Sequence, residues 1–401
     1  MEDGNQKGVT VMNYYQSDLD LLDEVRKYGK FDVEGCFNCG SCTLSCDLSN
    51  DQATFPRKSM RHVLMGLKQA LYESVDPWVC HDCGDCSVTC PRQTKPQESM
   101  MTLRRYLVSA YDWTGIASKI NRSKAGYIGA LSFMAVFVLL LTVLYHISVV
   151  KMPFSDFAST SMGLKHMFPT ITYFTLAVIL IPLLILVSNA FRMYGFIASG
   201  NQNGRTPISR HLSQVKTFLV HFFTYKKMAE CPTGKSRWVE HLFIGIGCLM
   251  MLFVKVFALS WFQTDQVHPF FHPQRWVGYL ATIFILYGTG SILIGRITKK
   301  KEVYKSSELS DWTLLTLLFA TALSGIILHI FRLAGFQIAT CYTYAIHVMI
   351  AVPMLVIEMP FGKWTHMIYR PLAMAISLQP QKARTLQPQW ASKEVSQHAT
   401  A

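Results

Sequence analysis

Two short runs of cysteines near the start of the chain restrict its fold more than any other feature. Each run has the spacing C-x2-C-x2-C-x3-C, and together they hold eight of the 11 cysteines. The eight are Cys36, Cys39, Cys42, Cys46, Cys80, Cys83, Cys86 and Cys90. A disulfide framework would distribute its bridges through a small secreted domain, whereas thiols crowded in this way indicate metal ligands in a reducing compartment.

The spacing within each run predicts iron-sulfur clusters. Three thiolates two residues apart can hold one face of an iron-sulfur cube only if the backbone coils tightly, and Gly40 and Gly84 permit that turn. In bacterial two-cluster ferredoxins the fourth cysteine of each run binds the other cluster, so we expect two [4Fe-4S] clusters with crossed ligands. The expected ligands are Cys36, Cys39, Cys42 and Cys90 for the first cluster, and Cys80, Cys83, Cys86 and Cys46 for the second.

The residues after the two runs differ. Pro91 follows the second run, as in ferredoxins, but Asp47 stands at the corresponding position after the first; this residue shapes the exit turn and is not a ligand. The alternative is a non-redox membrane scaffold with zinc in its head. Paired C-x2-C zinc knuckles usually stand about 12 to 20 residues apart. Three consecutive C-x2 steps are denser than that, which favours iron-sulfur clusters.

Amphipathic segments before and between the runs predict a helical head. The stretch SDLDLLDEVRKYG has Ser17 or Asp18 as its candidate N-cap and Gly29 as its stop. Between the runs, FPRKSMRHVLMGLKQALYES places apolar residues from Met60 to Leu71 at helical spacing. We therefore expect an α-helical dicluster ferredoxin domain at 1–118, and not the small β-type ferredoxin.

Most of the remaining chain is apolar. Hydrophobic residues make up 50% of the sequence and charged residues only 16%, and long uncharged runs account for most of 125–360. Six segments reach the roughly 20 residues that a helix needs to cross a bilayer. They are 125–149, 170–191, 240–262, 276–295, 312–331 and 339–360. We predict an all-α protein in which a six-helix transmembrane bundle at 119–370 follows the head, with a flexible cytoplasmic tail at 371–401.

The charges of the loops predict the orientation. The N-terminal stretch is polar and acidic and no apolar signal segment follows it, so we expect the head to face the cytoplasm from the inner membrane. Loops 192–239 and 296–311 then lie on the cytoplasmic side with the C-terminus, and they carry most of the loop lysines and arginines, as the positive-inside rule requires. The net charge of +13 follows from these loops, so it does not indicate nucleic-acid binding.

Histidines in or beside the spans are candidate haem ligands, because imidazoles on two facing helices can hold a b-type haem inside a bundle. His241 begins the third predicted span and His366 follows the sixth, so both lie at the cytoplasmic margin. We expect them to bind one haem b beside the iron-sulfur head. The bundle is therefore a candidate cytochrome b domain.

His347 predicts a second haem on the far side of the membrane. It lies 19 residues before His366, which is about 28 Å along a continuous helix, although two prolines between them bend or shorten that path. It therefore needs a different partner from His366. The candidates at a similar depth are His329, His146 and Met251. The sequence does not choose among them.

Lys255 is the only lysine well inside a predicted span. Ionisable residues within spans are functional candidates, and this ammonium would donate to a quinone carbonyl beside the far haem. The alternative is that the side chain snorkels to the outer surface. The chain has no G-x-G-x-x-G motif and no phosphate loop. We expect a subunit that carries electrons and has no complete active site for substrate reduction.

Both halves of the chain resemble components of heterodisulfide reductases. The motifs CFNCGSCTLSC, FPRKSMRHVLMGL and DPWVCHDCGDCSVTCPR resemble the dicluster iron-sulfur subunit. The closing PFGKWTHMIYRPLA resembles the membrane cytochrome b subunit and the end of the nitrate reductase gamma-type cytochrome domain. The fused arrangement, over about 1–375, is most similar to the membrane-anchored iron-sulfur proteins of the quinone-interacting membrane-bound oxidoreductase complexes of sulfate reducers.

The resemblance implies a membrane anchor that exchanges electrons between menaquinone and soluble, flavin-containing partner subunits. Those partners would serve adenylylsulfate reductase in sulfate respiration. In the related nitrate reductase cytochrome, two helices supply two histidines each to two haems. Here the sixth span supplies His347 and His366, but the third supplies only His241. The alternative is a methanophenazine-linked heterodisulfide reductase subunit.

Overall fold

The computed structural model describes residues 16–49, 54–150, 164–200, 208–230, 235–257 and 269–377. These residues form helices joined by turns and contain no β-strand, which confirms the predicted all-α class. The described part of the head, residues 16–121, contains α1 (Leu21–Arg26), α2 (Ser41–Leu44), α3 (Arg57–Leu64), α4 (Lys68–Tyr72), α5 (Asp76–Val79), α6 (Asp85–Val88), α7 (Pro96–Tyr111) and α8 (Ile116–Asn121).

The body, which follows from residue 124, consists mainly of long helices. They are α9 (Lys124–Tyr145), a π-helix (His146–Val150), α10 (Leu164–Gly200), α11 (Ile208–Thr224), α12 (Lys226–Glu230), α13 (Lys235–Phe257), α14 (Pro273–Thr298), α15 (Glu302–Lys305), α16 (Leu309–Leu333), α17 (Gln337–Pro353), a second π-helix (Met354–Glu358), α18 (Met359–Phe361), a 3-10 helix (Lys363–Thr365) and α19 (His366–Ser377).

Six helices of the described chain are long and apolar enough to cross a membrane, which agrees with the predicted number. They are Lys124–Ser148, Tyr173–Ser199, Lys235–Phe257, Arg275–Thr298, Leu309–Leu333 and Ile338–Phe361. Most of their large apolar side chains face outward, because the surrounding medium of a membrane bundle is itself apolar.

The longest helix of the head, α7, forms the centre of its core. Leu103 and Leu107 on this helix are fully buried, as are Leu21 on α1 and Leu71 on α4. The same apolar core continues into the body, where Met193 on α10 is also fully buried. The head is therefore packed against the ends of the bundle and is not attached by a linker alone.

Within the bundle, α13 and α14 approach each other closely through glycines. A Cβ atom added at Gly288 would lie 2.7 Å from the carbonyl oxygen of Glu240 and 2.6 Å from Ile244 Cγ1. A Cβ atom added at Gly247 would lie 2.9 Å from the carbonyl oxygen of Ala281. Small residues at such crossings let backbones of membrane helices pack tightly.

The sixth span ends in irregular helix. After Pro353 the backbone widens into the second π-helix, and α18 ends at Phe361; a proline removes a helical donor and commonly causes such a change. The carboxylate of Glu358 then accepts a hydrogen bond from the backbone N–H of Lys363, at 3.1 Å. Because α19 begins after this turn, His366 lies on a helix separate from the span.

The last described helix extends beyond the predicted end of the bundle. α19 continues to Ser377, and Ala373 and Ile376 are buried, so residues 371–377 belong to the packed structure. Residues 378–401 of the predicted tail lie outside the described residues.

The helix α11 is amphipathic and lies between the second and third spans. Leu212, Val215, Leu219 and Phe223 form an exposed apolar stripe along one face. Another face of the helix packs on α19. An exposed stripe of this kind is typical of a helix that lies in the interface of a membrane.

The variant Gly288→Val is expected to lower the free energy of unfolding by about 1–3 kcal/mol, because its side chain overpacks the crossing of α13 and α14. Thermal unfolding of the purified protein in detergent measures this change. Gly278→Val on the same helix is the matched control, since a Cβ atom there meets nothing within 4 Å. Equal loss of stability in the two variants would contradict the close crossing.

Candidate functional site

The two cysteine runs have the same local conformation. Asn38 and Asp82, each directly before the second cysteine of its run, have positive φ angles of 59° and 55°. Gly40 and Gly84, directly after the same cysteine, have φ of 89° and 98°. A short helix begins at the next residue in each case. The left-handed positions explain the glycines, and the resulting coil presents backbone N–H groups to one side, as in anion-binding nests of iron-sulfur sites.

The runs lie side by side. The hydroxyl of Thr89 in the second run donates to that of Ser45 in the first, at 2.9 Å. These two residues each precede the fourth cysteine of their run. The fourth cysteine of each run is therefore brought next to the other run, as crossed ligation requires.

One cavity of the head contains the cysteines predicted for the first cluster. It is lined by Cys36, Cys39, Cys42 and Cys90, together with Arg57 and Arg92. Cys39 is exposed at its edge. The guanidinium of Arg92 stacks over the ring of Phe37, at 4.5 Å from the centroid. The donor set fits an anionic iron-sulfur cluster that has one edge near the surface.

The cysteines predicted for the second cluster are also neighbours. Burial raises the pKa of the Cys86 thiol, and the nearby thiols of Cys80, Cys83 and Cys46 raise it further. Burial likewise raises the pKa of Cys46 to about 11 and that of Cys83 to about 12. Such thiols become thiolates when they bind a metal, so cluster assembly releases their protons. In the described ranges no three His, Cys, Asp or Glu side chains stand close enough to hold a single metal ion.

A second, larger cavity lies between the head and the body; we call it the junction cavity. Its lining includes Trp78 and His81 from the head, and Arg237, His241, His366 and Arg370 from the body. The structure thus brings His241 and His366 together, as the sequence predicts for one haem, and places them beside the second cysteine run.

The two histidines of the junction cavity are oriented in the same way. Nδ1 of His241 lies 2.9 Å from the carbonyl oxygen of Arg237, and Nδ1 of His366 contacts the carbonyl oxygen of Lys363. Among the described residues neither Nε2 has a hydrogen-bond partner. Burial lowers the pKa of His366 to about 3, so its ring is neutral. A neutral imidazole with Nδ1–H bonded to a carbonyl is the usual form of a metal-binding histidine.

The junction cavity is strongly basic. Its lining contains six cationic side chains and two carboxylates. The cations are Arg104, Arg105, Arg237, Arg296, Lys363 and Arg370, and the carboxylates are Asp82 and Asp311. Arg296 is buried, and its Nε atom has no hydrogen-bond partner among the described residues. The donor set therefore fits a group with an iron for the histidines and carboxylates for the cations, which are the two ends of haem.

The candidates at the far side are more dispersed. Nδ1 of His347 lies 2.9 Å from Ser324 Oγ, and Lys255 is close enough to act on this ring electrostatically. Nε2 of His329 instead lies 2.6 Å from Arg275 Nη1 and 2.8 Å from the hydroxyl of Tyr279. A nitrogen engaged in this way is not directed at a metal. The sequence could not reveal these contacts, because they join residues of different helices.

The two remaining far-side candidates lie on other elements of the bundle. His146 begins the first π-helix, at the end of the first span. Met251 packs with Ile244 and Cys248 against a buried cluster that includes Leu318 and Met354. Met251 therefore belongs to the apolar packing between helices.

Sequence reasoning missed most of the residues that join the two sites. His81, Arg370 and the inward position of Arg237 were not predicted. A signal for the two arginines is present in the spacing, because each stands four residues from a candidate haem histidine and therefore on the same helical face. Burial and the charges of Arg370 and Arg104 lower the pKa of His81 to about 3, so its ring is neutral.

Comparison with known proteins supports the cluster sites. Residues 32–94 match the family model of the 4Fe-4S dicluster domain. The head contains a 4Fe-4S dicluster domain. Relatives include the iron-sulfur subunit (C 2) of the CoB–CoM heterodisulfide reductase of Methanocaldococcus jannaschii. It is 30% identical over 128 residues, which are 30% of this chain and 66% of the relative.

Two further relatives are a protein similar to the C subunit of heterodisulfide reductase and a C2 subunit of a CoB–CoM heterodisulfide, ferredoxin reductase. One, from Archaeoglobus profundus, is 29% identical over 27% of this chain and 57% of the relative. The other is the C2 component of an H2/formate:CoB–CoM heterodisulfide, ferredoxin reductase of Methanococcus maripaludis, and it is 38% identical over 18% of this chain and 39% of the relative. The chain thus spans less than two thirds of the length of these relatives. No solved structure matches the chain.

The variants Cys39→Ser and Cys90→Ser are expected to lose the same cluster, although the two cysteines belong to different runs, because they line one cavity. Iron analysis should fall from about eight to about four non-haem irons per chain in both. Both should lose the same electron paramagnetic resonance signal. Cys46→Ser is the matched control and should lose the other signal. Crossed ligation would be wrong if Cys39→Ser lost the same signal as Cys46→Ser and a different one from Cys90→Ser.

Proposed function

We propose that the chain is a membrane electron-transfer subunit. It carries electrons between menaquinol and soluble, flavin-containing heterodisulfide-reductase-like subunits, through haem b and two [4Fe-4S] clusters. The single observation that supports this most is the junction cavity, in which two similarly oriented histidines of the bundle adjoin the second cysteine run. The chain is in this view one subunit of a quinone-linked oxidoreductase.

The residues of the junction cavity would hold the haem. His241 and His366 would hold its iron through their Nε2 atoms, and the backbone carbonyls of Arg237 and Lys363 hold the rings by their Nδ1 atoms. Arg296, whose Nε atom has no hydrogen-bond partner among the described residues, would bind a propionate, and the positive charge of the other cations in the lining would attract the propionates. Haem and the clusters supply one-electron transfer when bound, and they leave protons behind.

The far side of the bundle is the proposed quinone end. Lys255 would donate to a quinone carbonyl, and His347 would hold a second haem or line the quinone site. Ser324 Oγ, 2.9 Å from Nδ1 of His347, holds this ring in one orientation. Because Arg275 and Tyr279 engage His329, we do not propose His329 as the partner ligand.

The exposed edge of the first cluster site is the proposed exit to the soluble partner. Phe37, Leu44 and Val88 are large apolar side chains that are 71%, 90% and 62% exposed. Phe37 and the exposed Cys39 line the cavity of the first cluster, and Arg92 stacks over the Phe37 ring; Leu44 and Val88 belong to the first and the second cysteine run. A partner with an apolar patch and acidic groups fits this surface. In a sulfate reducer, that partner would pass electrons on to adenylylsulfate reductase.

The membrane is proposed to be the cytoplasmic membrane, with the head and the C-terminus in the cytoplasm. The lysine and arginine content of loops 192–239 and 296–311, on the side of the head, supports this orientation. The lipid-facing residues of the six candidate spans would contact the acyl chains.

The second candidate function is that of a methanophenazine-linked heterodisulfide reductase subunit. The relatives support it equally well, since two of them are subunits of CoB–CoM heterodisulfide reductases. The two functions require the same clusters and differ in the lipid-soluble electron carrier. Identifying the carrier in a lipid extract of the purified complex distinguishes them.

The variant His241→Ala is expected to lose the haem of the junction cavity, because one of the two proposed histidine ligands is removed. Pyridine haemochrome analysis should show one haem fewer per chain than in the wild type. His329→Ala is the control and should retain all haem, since its Nε2 is engaged by protein groups. Full haem content in His241→Ala would overturn the proposed ligand.

The variant Lys255→Met is expected to reduce the rate at which a menaquinol analogue reduces the haem, by tenfold or more, because the proposed donor to the quinone is lost. Methionine preserves the length of the side chain, so haem and iron content should not change. Stopped-flow absorbance at the haem α-band gives the rate. Lys300→Met in the exposed loop is the control. A wild-type rate in Lys255→Met would exclude this residue from the quinone site.

A further inference from the structure

Three arginines hold the short turn that contains Cys80, His81 and Asp82. Arg104 on α7 donates to the carbonyl oxygen of Pro77, at 2.7 Å, and contacts that of Cys80. Arg237 on α13 donates to the carbonyl oxygen of Asp82, at 3.0 Å. Arg370 on α19 donates to the carbonyl oxygen of Trp78 and to Nδ1 of His81, both at 3.1 Å. We call these three residues the arginine clamp.

Two members of the arginine clamp belong to the helices that carry the candidate haem ligands. Arg237 precedes His241 by four residues, and Arg370 follows His366 by four residues. Residues four apart share one helical face. Each of the two helices therefore presents a histidine to the junction cavity and an arginine to the same cysteine turn.

The first cysteine run is held differently. Its arginines come from the head itself, where Arg57 donates to Asn38 Oδ1 at 2.9 Å and Arg92 donates to the carbonyl oxygen of Gly35 at 3.3 Å. The two runs share one conformation but differ in what surrounds them. The second run is the one that arginines of the body hold.

We propose that Arg237 and Arg370 are positioning residues that couple the cluster held by Cys80, Cys83, Cys86 and Cys46, and not the other cluster, to the junction cavity. This inference rests on the proposed function. The backbone of the turn from Cys80 to Asp82 is then the contact between the two redox sites. The order of the sites is junction cavity, second cluster, first cluster, soluble partner.

The arginine clamp also acts on the energy of the second cluster. One-electron reduction of a cluster adds one unit of negative charge to it. Guanidinium groups beside it, shielded from water, stabilise the reduced form more than the oxidised form. Each positive charge of the clamp therefore raises the reduction potential of this cluster, which favours electron transfer to it.

The test is a redox titration of the purified full-length protein, with the clusters followed by electron paramagnetic resonance and the haem by absorbance. Arg370→Gln and Arg237→Gln should each lower the potential of the signal that Cys46→Ser removes. The signal that Cys39→Ser removes should stay unchanged. Arg370→Lys keeps the charge and should restore most of the potential. Arg92→Gln is the matched control and should shift only the other signal.

The outcomes separate the inference from the proposed function. Absence of haem or of non-haem iron in the wild-type protein would refute the proposed function. Full haem and iron content with unchanged potentials in both glutamine variants would refute the arginine clamp alone. A shift of the signal that Cys39→Ser removes would also refute it, because the clamp would then face the wrong cluster. If Arg370→Gln fails to fold, Arg237→Gln carries the same test.

Discussion

The apolar core shared by the head and the inner ends of the bundle is the contact on which the rest of the structure depends. The ring of Trp78 packs edge-on against that of Tyr369, with centroids 5.0 Å apart, and Tyr111 packs on Phe196 at 5.8 Å. These contacts join α5 and α7 of the head to α19 and α10 of the body. Burial of apolar surface stabilises the contact between the head and the body, but it does not select one orientation of the head. It brings the second cysteine run to the junction cavity, where polar groups determine its orientation.

Buried arginines select the orientation of the head relative to the body. A guanidinium removed from water is costly unless acceptors surround it. Arg104 and Arg370 find theirs in backbone carbonyls of α5 and of the cysteine turn, at residues 77–80. The buried arginines therefore favour one orientation of the head over other orientations that would bury the same apolar surface. A partly rotated head would leave positive charges without acceptors.

Local patterns predicted the local parts of this structure. The cysteine spacing, Gly40 and Gly84 follow rules that operate within a few residues, and both runs adopt the expected coil. The apolar runs predicted six spans because bilayer thickness determines their length. The proximity of His241 and His366 could also be predicted from the sequence, because depth in the membrane follows from position along a span. No such rule relates Arg370 to His81, which are distant in sequence and meet only in the fold.

The far side of the bundle shows the limit of depth as a guide. His329 and His347 lie at similar depths in the membrane, as two ligands of one haem would. Whether they can be partners depends on which way each side chain points. Arg275 and Tyr279, on α14, are hydrogen-bonded to Nε2 of His329. The end of α19 could not be predicted from the sequence either. The helix stays packed as far as Ser377 because it contacts the head, and composition does not encode such a contact.

The break between the sixth span and α19 has a mechanical consequence. The turn at Glu358 and Lys363 uncouples the two helices, so a tilt of the span in the bilayer is not transmitted rigidly to His366. Tyr369 and Arg370 on α19 instead contact the head directly. The position of His366 is therefore determined together with that of the head, and a protein that docks on the head contacts the same rigid unit that positions this histidine.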